Sequence, residues 1–81
     1  DKTMLVKKEK LKGFMETKNL SKAQFAEILD VETGEVEKML NGEAVGLDTS
    51  RKFIRFFKAE VAQHYIDWKA MNIENPLEDR K

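Results

Sequence analysis

Residues 20–42 read LSKAQFAEILDVETGEVEKMLNG. Ser21 stands where a helix N-cap belongs, with Gln24 three residues on. That is the spacing of a capping box, in which each side chain bonds the other residue's backbone N–H. Leu20 before the cap and Phe25 at the fourth helical position form a hydrophobic staple, which fixes the angle of entry into the helix. The helix so begun is expected to end near Leu29. After Asp30-Val31-Glu32 a second short helix is expected from Thr33 to Leu40, with Val36, Met39 and Leu40 as its apolar stripe. Asn41-Gly42 closes it, since Asn or Gly after the last apolar residue is a usual helix stop. Glu32 and Glu35 at its start suit the positive end of the helix dipole.

Helices this short do not persist alone, because isolated helices below ~12 residues are marginal in water. Longer helices must clamp the pair. One is expected from about Met4 to Thr17, burying Leu11, Phe14 and Met15 and leaving Lys7, Lys8, Lys10 and Lys12 mainly wet. Gly13 weakens it by ~1 kcal/mol relative to alanine, unless another backbone approaches closely there. After the Gly42–Gly46 loop, Asp48 is a suitable N-cap. Phe53, Ile54, Phe56, Phe57, Val61, Tyr65, Trp68 and Met71 then recur at spacings of three and four, with nothing to break the pattern before Asn72. The pattern fits one helix of about 24 residues, or two with a bend near Lys58–Glu60. No stretch alternates cleanly at period two, so no strand is expected. The expected fold is all-α: a four- to five-helix bundle with a central helix-turn-helix and a long C-terminal helix. It forms one domain, with a core at about 5–58, a helical extension at 59–72 and a polar tail at 73–81.

Of the 81 residues, 41% are hydrophobic and 37% charged, enough for one core and not two. No cysteine is present, so packing alone must hold the fold. His64 is the sole histidine, without a carboxylate pair at metal-binding spacing, so neither a metal nor another cofactor is expected. No nucleophile stands beside a base and no loop is built to cradle phosphate, so catalysis is not expected either. No apolar run approaches the ~18 residues of a membrane span, and no signal peptide is visible. A cytoplasmic protein without a membrane partner is expected. Asp1-Lys2-Thr3 before Met4 reads as a tag remnant, and the tail after Pro76 as either a terminus or a linker to a further domain.

The whole of 20–42 resembles the helix-turn-helix of the lambda-repressor-like, Cro or Xre-type family. Leu11 upstream and Leu47-Asp48-Thr49 with Lys52-Phe53 downstream extend the likeness to about residues 5–58. In that resemblance Ala26 sits where the two short helices cross, while Val31 and Val36 fill the gap between them. The resemblance implies a transcriptional regulator of bacterial or phage type, a repressor acting as a dimer on duplex DNA. The second short helix would lie in the major groove, with the first anchored on phosphate. Position by position, Thr33, Gly34 and Glu35 would face bases, with Glu37 or Lys38 near the edge. Lys22 would meet one phosphate, and Asn41 with the following loop another. Arg51, Lys52 and Arg55 would contact phosphate or pair with nearby acids. Phe56, Tyr65 and Trp68 would form a homodimer seam, or be covered by the last helix folding back over the core.

The charge pattern departs from the family's. The net charge is zero, yet residues 1–22 carry seven Lys against three acids (+4) and residues 23–50 carry seven acids against Lys38 alone (−6). Residues 51–81 carry seven bases against five acids (+2). Glutamate can accept a hydrogen bond from cytosine N4. Glu32, Glu35 and Glu37 together oppose the counterion release that drives most DNA affinity, and Gly34 offers no side chain to read a base. A second function is therefore open, in which the helix-turn-helix is a scaffold for a protein partner: an antirepressor, an antitoxin-like protein or a host-factor binder.

Overall fold

A computed structural model describes residues 4–71. The tag expected at residues 1–3 and the polar tail at 73–81 lie outside the described residues. The described chain forms four helices: α1 (Lys8–Thr17), α2 (Lys22–Leu29), α3 (Thr33–Leu40) and α4 (Leu47–Ala62). The fold is an all-helical bundle with the short α2–α3 pair at its centre.

The first helix starts four residues later than its periodicity predicts. Met4 and Val6 are extended, each in an isolated antiparallel bridge, Met4 with Val45 and Val6 with Ile66. Met4-Leu5-Val6-Lys7 alternates after all: Met4 and Val6 are buried, Leu5 half-buried and Lys7 exposed. Four residues are too few to register against a helical stripe. α1 then buries Leu11 and Met15. No foreign atom lies within 4 Å of a Cβ placed on Gly13, so no close approach explains that glycine.

α2 and α3 match their expected limits. Ser21 Oγ accepts the Gln24 N–H at 3.1 Å, and Gln24 Oε1 accepts the Ser21 N–H at 2.8 Å. The first three helices end alike, on a residue with positive φ: Asn19 (56°), Asp30 (66°) and Gly42 (77°). At each end the next N–H reaches back five residues, Leu20 to Met15 O, Val31 to Ala26 O and Glu43 to Lys38 O, at 2.8–2.9 Å. This double-bonded closure satisfies the last carbonyls of the helix, and Asn, Asp and Gly are the residue types that adopt it at least cost.

α4 has Gly46 rather than Asp48 at its N-cap, without a side-chain cap bond; Asp48 falls in the first turn. Lys58, inside α4, has φ 70° and ψ 152°. That region is populated essentially by glycine and costs another residue about 1–3 kcal/mol. Of the two alternatives, one unbroken helix or a bend near Lys58–Glu60, the chain takes the bend, and it is sharp. Helix continues only to Ala62, and residues 63–71 run through turns with Ile66 bridged to Val6. The expected helix to residue 72 is therefore not formed. The Lys7 N–H donates to Tyr65 O and the Asp67 N–H to Leu5 O, each at 2.7 Å, and these bonds hold the segment back across the N-terminal residues. Phe25, Phe53, Leu11, Met39, Val36 and Val45 are the largest fully buried side chains.

Candidate nucleic-acid interface

α3 has two faces, set by its spacing. Val36 and Met39 are buried, and Ala26 at 2% exposure permits the close crossing of α2. Thr33, Gly34, Glu37, Lys38 and Asn41 are exposed. Lys22, the first residue of α2, is exposed, as are Arg51 and Arg55 on α4. Gln24's N–H, one of the backbone donors at the start of α2, is already bonded to Ser21.

Two expected DNA contacts are engaged inside the protein. Glu35, expected to face a base, is half-buried and turned toward α4. Its Oε1 accepts the Thr49 Oγ1–H at 2.9 Å and its Oε2 lies 3.6 Å from Lys38 Nζ. The Thr49 hydroxyl is buried and needs an acceptor, and Glu35 is the one α3 supplies. Lys52, expected at phosphate, donates to the Asp30 carbonyl at 2.8 Å and pairs with the Asp30 and Asp48 carboxylates at 3.6 and 3.3 Å. It ties α4 to the end of α2. Lys38 keeps an exposed side chain beside Glu35.

Of the three aromatics expected at a dimer seam, Tyr65 and Trp68 are packed within the chain. The Tyr65 ring stacks on Phe57 at 4.5 Å, with Lys10 Nζ 5.4 Å from its centre. Trp68 Nε1–H donates to Gln63 O at 3.0 Å. Phe56 is 39% exposed, although its ring meets Phe14, Phe25 and Phe57 at 4.8–6.2 Å. Residues 63–71, in turns rather than a helix, thus fold back so that Tyr65 and Trp68 pack against the core, while Phe56 stays partly exposed. His64 is exposed, and among the described residues no three His, Asp or Glu side chains gather as a metal site.

One feature escaped the sequence. Asp30, Glu32, Glu35 and Asp48 surround a hollow of about 400 Å³ between the α2–α3 turn and the start of α4, lined also by Val31, Thr49 and Lys52. The Asp48–Lys52 spacing of four residues was visible on one helix, but the arrival of Asp30 depends on the left-handed turn that ends α2. No helix among the described residues is long and apolar enough to cross a membrane. Neither a family model, a curated protein nor a solved structure matches the chain.

Proposed function

We propose that this protein is a sequence-specific duplex-DNA-binding regulator without catalytic activity, reading the major groove with α3. One observation carries the reading: α3 is clamped against α2 on one side yet keeps Thr33, Gly34, Glu37, Lys38 and Asn41 outward. A helix held rigidly with one face presented is what groove reading requires. Less negative charge also faces outward from α3 than composition suggests. Glu35 is drawn toward α4 and the hollow, accepting from the Thr49 hydroxyl and pairing with Lys38, which leaves Glu32 and Glu37 as the carboxylates on the exposed side of this helix. Each is able to accept from cytosine N4. Lys22 anchors phosphate, joined by Arg51; Lys52 is a fold residue.

Selection from a random duplex pool followed by gel retardation tests the proposal. A retained consensus, with affinity falling steeply in salt, is expected. Lys22→Ala should weaken binding alike on all sequences and reduce the salt slope by about 1. Glu37→Lys should raise non-specific affinity. Absence of affinity for any duplex at low salt overturns the reading. The acidic hollow favours the second function in that event: four carboxylates and a single ammonium line it, which suits a basic protein surface.

A further inference from the structure

The backbone at Lys58 and the apolar pattern around it are at odds. Between Gly46 and Pro76 there is neither glycine nor proline, so nothing in the covalent chain calls for a break. Leu47, Ser50, Ile54, Phe57, Val61, His64, Trp68 and Met71 are separated by alternating steps of three and four residues, and six of the eight are apolar. That is the seam of one continuous helix. The chain nevertheless turns at Lys58 in a conformation reserved for glycine. What pays for the turn is the docking of residues 59–71: Ala62 and Ile66 buried, Tyr65 on Phe57, and backbone bonds to Leu5 and Lys7 at 2.7 Å.

Every one of those contacts can be made to a second copy. If Lys58 relaxes to helical dihedrals, α4 runs straight and carries residues 59–71 away from their own N-terminal residues. A second copy, opened in the same way, offers an identical vacant surface. We infer that the chain forms a domain-swapped dimer, with Lys58 as hinge and residues 59–71 as the exchanged segment. Docking contacts are the same in both forms, the hinge strain exists only in the closed monomer, and the dimer is opposed by association entropy alone. The balance is therefore set by concentration. Phe57 and Tyr65 stack within one chain when closed and between chains when exchanged. The inference does not rest on DNA binding.

The absence of cysteine makes the test clean. Val6 and Ile66 are antiparallel bridge partners, at a separation within the range a disulfide spans. Val6→Cys chains and Ile66→Cys chains are unfolded, mixed, refolded at high concentration and oxidised. A covalent heterodimer on a non-reducing gel is expected. Lys58→Gly in both chains removes the strain and weakens the straight helix, so the band should fall by at least about tenfold. Lys58→Ala keeps the strain and should retain it. A chain carrying both cysteines should close on itself when refolded dilute. Failure of that closure overturns the docking on which the exchange depends. A heterodimer band no stronger than with Thr17→Cys chains, or one indifferent to Lys58→Gly, overturns the swap. Light scattering of the cysteine-free protein reads the same balance should a cysteine variant not fold. Dimer that grows with refolding concentration and is lost in Lys58→Gly supports the exchange, and a strictly monomeric protein or a dimer unchanged by Lys58→Gly refutes it.

Discussion

The α2–α3 pair and the second half of α4 are built on opposite terms. In the pair, three of the four helix ends carry their own chemistry: Ser21 with Gln24 at the start of α2, Asp30 and Gly42 at the two stops, each bonded as its residue type predicts; α3 starts at Glu32 without a side-chain cap bond. Beyond Phe57 there is only periodicity, and periodicity names a face without naming an end. The consequence is visible in the four residues with positive φ among those described. Asn19, Asp30 and Gly42 terminate helices and belong to types that tolerate the left-handed region, whereas Lys58 interrupts a helix and does not. A helix stopped by local chemistry is nearly independent of its surroundings; one stopped by tertiary pairing lasts only while that pairing does.

The largest effects should separate the two regions by their coupling to the whole. Phe53 is fully buried before the hinge, and Phe53→Ala should cost about 3–5 kcal/mol of global stability in urea unfolding. Ile66 is almost as buried but lies after the hinge, where the segment can detach rather than hold a cavity. Ile66→Ala should therefore cost no more than about 2 kcal/mol, the low end for such a truncation. In native-state hydrogen exchange the Lys7 and Asp67 amides, which bridge the segment to the N-terminus, should open at lower free energy than those of Leu29 and Met39. Equal protection in both places would mean that the segment unfolds only with the domain.

The same contrast explains what was legible beforehand. The limits of α2 and α3 follow from residues within four positions of each end, so they were readable. The buried stripe of α4 up to Phe57 follows from spacing and was readable too. The start of α1 was not, because Met4 and Val6 are extended by partners at Val45 and Ile66, some 40 and 60 residues away. The candidate interface divides in the same way. Exposure of Thr33, Lys38 and Asn41 follows from helical phase, but the inward turn of Glu35 answers a hydroxyl 14 residues along the chain at Thr49. Lys52 is bound by Asp30 across 22 residues. Helical phase fixes which positions face outward; it does not say which charged side chains the fold itself uses.

A smaller effect sharpens the claim that α2 stands on local chemistry. Ser21→Ala removes the acceptor for the Gln24 N–H and should cost about 1 kcal/mol, while Ser21→Gly should cost only a few tenths. Both ends of the capping box are exposed, so packing is untouched and thermal unfolding reads the cap alone. An alanine variant as stable as the parent would mean that contacts with α3 hold α2 without its cap. The distinction between the regions would then narrow.

The smallest expected effect concerns Lys52, the residue that joins the locally determined pair to α4. Three oxygens face its ammonium, which suggests a strong strap, but their settings argue otherwise. The Asp30 and Asp48 side chains are 92% and 80% exposed. Water and salt screen such pairs, and these two share one ammonium, so together they contribute about 0–1 kcal/mol. The bond to the Asp30 carbonyl is more specific, since it is made at the left-handed residue that ends α2. That carbonyl remains accessible to water once the lysine is gone. Lys52→Met, which keeps most of the stem against α4, should therefore cost no more than about 1 kcal/mol at low salt and still less at high salt. A stability loss well beyond that figure and insensitive to salt would make the strap part of the core, and would show that the end of α2 leans on α4 as heavily as residues 59–71 lean on the N-terminus.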